Sequence, residues 1–153
     1  MNSVAFKIKQ FTLATMLDKA SGALGSKSDL EILRSFKITG EGDHLRCAAT
    51  DTDLTVLARA SAVEVIGEGS LCVNAQKLIQ ITRQLSDDDV ITIKRDGKHV
   101  LVSTQAVKWS LVAEDPDAYP PIPDPASAKF EMVDTKEFMR ALSKVSCACA
   151  VVS

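Results

Sequence analysis

The sequence predicts an α+β domain built from two similar βαβββ halves, with both helices on one face of antiparallel sheets. A strand-like segment followed by apolar residues at helical spacing occurs twice, and each time three extended segments with tight polar turns follow. The two sets of extended segments align at a constant shift of 55 residues, which places Gly42 on Gly97 and His44 on His99. At 153 residues, the chain has room for roughly one domain of ordinary size.

The first half opens on residues 4–9, whose alternating apolar and polar residues predict a strand. Thr12 is the predicted N-cap of the first helix, and Gly22 and Gly25 are predicted to end it. Apolar residues recur at helical spacing between these positions. The three extended segments that follow cover residues 33–39, 44–50 and 54–65.

The second half repeats this order. Residues 71–73 predict a short strand, Asn74 is the predicted N-cap of a second helix over residues 75–85, and Asp96-Gly97 is a strong hairpin signal. The three predicted strands cover residues 90–95, 98–104 and 107–113. The alignment of the two halves runs without a gap from residue 36 to residue 58, and it places Phe36 on Ile91, Ile38 on Ile93 and Leu54 on Trp109.

The same pattern begins a third time after a Pro-rich connector. We therefore predict a complete domain over residues 1–116, a connector over residues 117–128 and the start of a second domain over residues 129–153. In the last part, residues 130–133 predict a strand, and Asp134 with Glu137 predicts the capping box of a helix.

A shift of 125 residues places Leu17 on Leu142 and Lys19 on Lys144, so this last part repeats the opening strand and helix. Without the three strands that follow in a complete domain, such a strand and helix cannot bury their apolar faces. We expect residues 130–153 to be aggregation-prone or disordered when alone. The alternative is a terminal helix that docks on the first domain.

The charge balance excludes a protein coated with basic residues for nucleic-acid binding. The chain has 18 basic and 20 acidic residues and a formal net charge of −2, so contact with a polyanion requires a local basic patch. No apolar run approaches the ~18 residues of a membrane span, and the N-terminus lacks the apolar core of a signal peptide. We expect a cytoplasmic protein with no membrane partner.

The four cysteines predict neither a disulfide framework nor a cofactor site. No two of them form a CxxC pair, and free thiols are expected. The spacing of Cys147 and Cys149 suits a soft metal, but His44 and His99 lie far away in the sequence, which leaves too few ligands for a tetrahedral site. We expect no metal and no other cofactor.

Two carboxylate clusters are the candidates for catalysis. Asp51 and Asp53 are a plausible metal pair, but Asp and Thr are also the residues that tight turns favour. Residues 87–89 follow the second helix and predict a solvated loop. The sequence contains no nucleophile elbow, Gly-rich phosphate loop or HExxH motif, so no catalytic residue is expected.

The basic residues are unevenly distributed. Residues 69–85 contain no Asp or Glu, and their charged residues are Lys77 and Arg83, so the second helix is locally positive. Cations without interleaved aromatic residues suit phosphate contact that does not depend on base sequence. The alternative is that these are ordinary solvated helix faces. The other basic residues in or near a predicted helix include Lys19, Lys27, Arg140 and Lys144.

Several segments, taken in order, resemble one family. They are Leu17-Asp18-Lys19-Ala20-Ser21-Gly22, Ser26-Lys27, Ala49-Thr50-Asp51-Thr52-Asp53-Leu54, Val73-Asn74-Ala75-Gln76-Lys77-Leu78 and Asp117-Ala118-Tyr119-Pro120-Pro121-Ile122-Pro123. With these segments the chain resembles the N-terminal part of the bacterial sliding clamp, the beta subunit of DNA polymerase III. The resemblance covers essentially the whole chain.

The resemblance implies the DNA-clamp fold and a non-catalytic processivity factor. Clamp chains of this family have three such domains, and two chains close head to tail into a ring whose helices line the hole. The implied partners are double-stranded DNA, held without sequence specificity, and other clamp subunits in a homo-oligomeric ring. The replicative polymerase and the clamp loader would bind through domains that are missing here.

The resemblance also assigns residues. The implied DNA-facing residues are Lys27, Gln76, Lys77 and Arg83, and the implied ring-interface residue is Lys108. The distribution of basic residues on the predicted helices adds Lys19 and Lys144 to the DNA-facing set. Gln76 stands where some relatives have arginine, which weakens that contact.

The chain is shorter than the clamps that it resembles. We expect a truncated chain, a broken gene or an incomplete reading frame, and the alternative is a natural short clamp built from more subunits. Two other functions stay open. One is a metal-dependent nuclease or polymerase-associated enzyme that uses Asp51 and Asp53, and the other is a structural module that only oligomerises.

Overall fold

The computed structural model describes residues 4–25 and 30–149 of the chain. The chain forms two compact units, Met1–Ile122 and Pro123–Ser153, and the division falls inside the predicted connector. The first unit contains nine strands, two α-helices and two short 3-10 helices among the described residues. Nowhere in these two ranges is a helix long and apolar enough to cross a membrane.

The elements of the first unit follow the predicted order. The first half comprises β1 (Ala5–Lys9), α1 (Gln10–Ser21), β2 (Ser35–Glu41), β3 (His44–Thr50), β4 (Thr55–Ser61) and β5 (Glu64–Ile66). The second half comprises β6 (Ser70–Asn74), α2 (Ala75–Arg83), β7 (Val90–Asp96), β8 (His99–Ser103) and β9 (Lys108–Glu114). The predicted strand over residues 54–65 is thus two strands, because the chain leaves β3 after β4 and pairs with β1 through β5.

The strands form one antiparallel sheet in the order β4-β3-β2-β6-β9-β8-β7-β1-β5. The first strand of each half pairs with one strand of the other half, since β1 pairs with β7 and β6 pairs with β2. Ile8 of β1 lies opposite Ile91 of β7, and Val73 of β6 lies opposite Phe36 of β2. The predicted α+β fold with two related halves is confirmed, and the halves are interlocked.

The alignment of the two halves holds for two strands and fails for the third. Ile38 pairs with Cys47, and the residues 55 positions later, Ile93 and Val102, also pair. Cys47 then pairs with Ala58, but Val102 pairs with Trp109 and not with Ala113. The gap-free alignment is therefore wrong beyond β3, because β8 ends and turns back earlier than β3 does.

The helices pack on one side of the sheet and contact each other. The buried side chains between helices and sheet include Phe6, Ile8, Leu13, Leu17, Phe36, Ile38, Leu78, Ile91 and Ile93. At about 25 cal/mol per Å² of buried apolar surface, a core of this kind is the main favourable term in folding. The core fixes α1 and α2 relative to the sheet, so their exposed faces form a defined surface.

The two helices begin in different ways. As predicted, Asn74 caps α2, since its side-chain oxygen accepts a hydrogen bond from the N–H of Lys77 at 3.1 Å. The predicted N-cap of α1, Thr12, is wrong, because α1 begins at Gln10 and Lys9 offers no side-chain cap. Main-chain carbonyl oxygens of the loop after α2 take the place of a side-chain cap. The N–H of Gln10 donates to the carbonyl oxygen of Asp89 at 2.8 Å, and the N–H of Phe11 donates to that of Asp87 at 3.4 Å.

The second unit contains one α-helix, α3 (Thr135–Val145), in its described residues. Asp134 caps this helix as predicted, because its side chain accepts a hydrogen bond from the N–H of Glu137 at 2.9 Å. The predicted strand over residues 130–133 is wrong, since none of the described residues pairs with this segment. The described residues of the unit are all exposed, and Met132 is 100% exposed.

All four cysteines are free thiols in the structure. Cys47 and Cys72 are buried in the sheet, and Cys147 and Cys149 are exposed after α3. Burial raises the pKa of the Cys72 thiol to about 12, and burial also raises the pKa of Cys47. The two buried thiols are therefore neutral at physiological pH.

Candidate nucleic-acid interface

The exposed face of α2 carries three of the six predicted DNA-facing residues, Gln76, Lys77 and Arg83. Gln76, Gln80 and Arg83 follow one another at intervals of four and three residues, which places them on one face of the helix. Lys77 is exposed beside them, and the opposite face of α2 is buried through Leu78, Ile81 and Thr82. The helix therefore presents only polar and positively charged groups to solvent on this side.

Helix α1 contributes Lys19, which is exposed in the last turn. A cation in this position also interacts favourably with the negative end of the helix dipole. The neighbouring exposed residue Asp18 is acidic, so the surface of α1 is more mixed in charge than that of α2. Lys27, the second predicted cation of this region, lies outside the described residues.

A buried hydrogen bond and a shared groove join the exposed faces of α1 and α2. Gln10 at the start of α1 donates from Nε2 to the main-chain oxygen of Thr82 in α2 at 2.8 Å. The groove beside this contact has a volume of about 310 Å³, and residues of both helices line it, including Asp18 and Arg83. The structure thus brings the two candidate helices onto one surface.

Lys77 also borders a different surface. It lines a depression of about 300 Å³ together with Leu111 and Val112 of β9 and Glu114 at the end of that strand. The sequence gives no sign of this proximity, because Lys77 and β9 are far apart along the chain. Lys77 therefore lies where the helix face meets strand β9.

Lys108 is the first residue of β9, a strand that is open along most of one edge. Strand β9 pairs with β8 from Lys108 onward, but it pairs with β6 only through Ala113 and Glu114. In the described part of the chain, no strand pairs with the edge of residues 108–112 that faces away from β8. Val112 on this edge is 67% exposed. Open edges of this kind are templates for pairing with another strand.

Lys144, the remaining candidate, lies in the last turn of α3 in the second unit and is exposed. The helix has an apolar face that is also exposed, with Phe138, Met139, Leu142 and Val145 each at least 45% accessible.

The structure gives Asp51 a role in a turn. Its Oδ1 atom accepts hydrogen bonds from the N–H groups of Asp53 at 3.0 Å and Leu54 at 2.7 Å. Thr52, which lies between Asp51 and Asp53, has a positive φ of 84° that completes the tight connection between β3 and β4. Within the described ranges, no group of three His, Cys, Asp or Glu residues is placed to hold a metal ion.

Comparison with known proteins gives a consistent result. Residues 4–123 match the family described as DNA polymerase III beta subunit, N-terminal domain. The chain is 30% identical over 119 residues to a beta sliding clamp of Vibrio cholerae, covering 78% of this chain and 32% of that protein. It is 30% identical over 119 residues to a beta sliding clamp sequence of Vibrio harveyi, covering 78% of this chain and 82% of that sequence.

Solved structures show the same fold. The DNA polymerase III subunit beta of Pseudomonas aeruginosa superimposes with a TM-score of 0.87 at 21% identity, covering 97% of this chain and 40% of that one. The pol III beta of Caulobacter crescentus gives a TM-score of 0.83 at 21% identity, covering 92% of this chain and 38% of that one. The chain spans about a third of the length of the Vibrio cholerae relative.

Proposed function

The chain belongs to the family of the DNA polymerase III beta subunit, and we therefore propose that it is the N-terminal part of a DNA sliding clamp. In this proposal the assembled ring encircles duplex DNA without sequence specificity and keeps a replicative polymerase on its template. The chain itself is a non-catalytic accessory subunit that acts in the cytoplasm. Its other partners are further clamp subunits and, through domains outside residues 1–153, the polymerase and the clamp loader.

One observation supports this proposal most directly: α1 and α2 share one side of the sheet, and α2 is free of acidic residues. Because DNA carries a phosphate charge every ~1.7 Å along its axis, a locally positive helix face attracts it even when the whole protein is acidic. We assign DNA contact to Lys19, Lys27, Gln76, Lys77, Arg83 and Lys144. Gln76 provides only a hydrogen bond, so its contribution is smaller than that of the cations.

Ring closure is assigned to the open edge of β9. No strand of the described residues covers the edge of residues 108–112 that faces away from β8. This open edge and the exposed side chain of Val112 support a contact with another clamp subunit there. Lys108 lies at the start of this edge and offers a cation to an acidic group across the interface. For the chain as a whole, we propose a complete clamp domain over residues 1–116, a connector over residues 117–128 and the start of a second domain over residues 129–153.

The salt dependence of duplex binding tests the assignment of the DNA face. If Lys19, Lys27, Lys77 and Arg83 each neutralise one phosphate, the logarithm of the binding constant falls with the logarithm of salt concentration with a slope of about −3.6. Changing all four residues to Ala should remove this contribution to the slope and leave only the share of Lys144, about −0.9. As a matched control, changing Lys94, Arg95, Lys98 and Lys129 to Ala removes the same charge elsewhere and should leave most of the slope. Equal flattening in both variants would refute the assignment.

The alternative of a nuclease that uses Asp51 and Asp53 has a separate test. Because Asp51 accepts two main-chain hydrogen bonds in its turn, we expect no cleavage of labelled DNA by the purified chain in Mg²⁺ or Mn²⁺. Cleavage that Asp51→Asn abolishes would favour the enzyme over the clamp.

A further inference from the structure

Phe11 is a large aromatic residue that the fold leaves outside the core. It lies in the first turn of α1 and is 64% exposed, although α1 buries Leu13, Met16 and Leu17 on its other side. Together with Ala14 and Ile79, Phe11 gives the groove between α1 and α2 an apolar wall. An exposed aromatic ring beside a groove is a platform on which another planar ring can stack.

The charged groups of the groove do not suit a phosphate. Asp18 and Asp87 bring two carboxylates to its lining, and Arg83 brings one guanidinium. These three groups carry a net charge of about −1, so a phosphate inside the groove would be repelled, and only its rim at Arg83 attracts one. Carboxylate oxygens instead accept hydrogen bonds from neutral N–H donors.

Gln10 also lines the groove, but its side-chain oxygen is buried. The residue is only 5% exposed, with its Nε2 group bound to the main-chain oxygen of Thr82. Its Oε1 atom has no hydrogen-bond partner among the described residues and is not accessible to a ligand, so the carboxylates of Asp18 and Asp87 are the acceptors that the groove offers. The complementary ligand is therefore flat, neutral and rich in N–H donors.

We propose that this groove binds an unstacked nucleobase of single-stranded DNA. The base stacks on the ring of Phe11, its N–H groups donate to Asp18 or Asp87, and the adjacent phosphate lies at Arg83. A duplex keeps its base faces inside and presents phosphates to this surface, so the groove distinguishes single-stranded DNA from duplex DNA. The inference rests on the proposed function, because that function turns α1 and α2 toward DNA.

The experiment measures the dissociation constant of the full chain for a fluorescent single-stranded oligonucleotide by anisotropy. The same measurement with an abasic oligonucleotide of equal length isolates the contribution of the bases. Phe11→Ala should weaken binding to the base-containing strand about tenfold, since stacking of a base on an aromatic side chain is worth ~1–3 kcal/mol. Phe11→Trp should retain binding, and Phe11→Leu, which is apolar but not aromatic, should behave like Phe11→Ala.

Val63→Ala is the control, because Val63 is 57% exposed but does not line the groove. It should leave the affinity unchanged. Equal affinity for the abasic and base-containing strands, or an unchanged constant in Phe11→Ala, would overturn the inference. Equal loss of duplex binding in Phe11→Ala would also overturn it, because the role would not be specific for bases.

Duplex binding by the unmodified chain is read separately through its salt slope. A flat slope together with base-dependent binding of single strands would refute the proposed function and leave the groove assignment standing. A salt slope near the expected value, together with equal binding of the abasic and base-containing strands, would support the proposed function and refute the groove assignment.

Discussion

The side-chain amide of Gln10 donates a hydrogen bond of 2.8 Å to the main-chain oxygen of Thr82, joining the start of α1 to α2. Gln10 is 5% exposed and Thr82 is 1% exposed, so water cannot replace this bond without opening the contact between the helices. The same residue also anchors α1 through its backbone, because its N–H donates to the carbonyl oxygen of Asp89. Gln10 therefore fixes the relative position of the two candidate DNA-facing helices.

Gln10→Ala should lower the free energy of unfolding by about 1–3 kcal/mol. The substitution leaves the carbonyl oxygen of Thr82 buried without its side-chain donor and also creates a small void. The free energy is measured by urea denaturation at neutral pH. Thr15→Ala on the exposed side of α1 is the control and should change it by less than ~0.5 kcal/mol. An equal effect of the two substitutions would show that the buried bond contributes nothing.

Gly40→Ala should destabilise the chain by about 1–3 kcal/mol through overpacking. A Cβ atom at this position would lie 2.7 Å from Cγ1 of Val65 and 2.9 Å from Cε1 of the buried Phe6 ring. Gly22→Ala is the matched control, because no heavy atom of the described residues lies within 4 Å of its Cβ position and its φ is −63°. Calorimetry should show a lower Tm for Gly40→Ala and an equal or higher Tm for Gly22→Ala.

The stability of the first unit should fall in alkaline solution. Burial raises the pKa of Cys72 from 9.0 to about 12, so folding favours the neutral thiol. Its contribution is fully present below pH ~9 and is lost as the pH rises toward 12. Burial raises the pKa of Tyr119 as well, and its hydroxyl donates to the carbonyl oxygens of Ser35 and Ala48.

Urea denaturation between pH 8 and 11 checks this dependence, for which each buried acid contributes up to ~1.4 kcal/mol per pH unit. Cys72→Ala should flatten the alkaline fall, whereas Cys147→Ala, which changes an exposed thiol, should leave it unaltered. A fall of the same steepness in both variants would mean that Cys72 does not titrate in this range.

Self-association should depend on the open edge of β9. Ala113 N–H donates to Lys98, so the alternation of an antiparallel strand directs the N–H of Leu111 toward β8 and that of Ser110 away from it. Ser110→Pro therefore removes an outward donor and keeps the bonds to β8. We expect the chain to associate with rising concentration in sedimentation velocity, and Ser110→Pro to weaken this association.

Leu111→Pro serves as the contrast, because it breaks the pairing with β8 and should destabilise the fold itself. A sedimentation coefficient of the original chain that stays constant with concentration would contradict the prediction. So would undiminished association of Ser110→Pro.

The sequence predicted what local chemistry controls. Asn74 marks the start of α2 because its own side chain binds the first turn, and Asp134 does the same for α3. The alignment of the two halves also predicted that Ile38 and Ile93 occupy equivalent positions, and both belong to the buried core.

The sequence-based predictions fail at positions whose structure depends on groups that are distant in the sequence. Thr12 is not a cap because carbonyl oxygens of Asp87 and Asp89, far along the chain, satisfy the first turn of α1. The site shows the same division. Exposure of Lys77 follows from helical spacing, but its position beside Val112 results from the packing of α2 near β9.

The exchange of first strands between the halves has a consequence for the time course of folding. Ala5 pairs with Lys94 and Ser35 pairs with Asn74, so the sheet joins residues that are far apart in the chain. Such distant pairing slows folding, because the entropy of closing long loops is lost before the contacts form. During synthesis, β1 cannot pair with β7 until β7 has left the ribosome. Neither half can therefore complete its part of the sheet before the other half has been made.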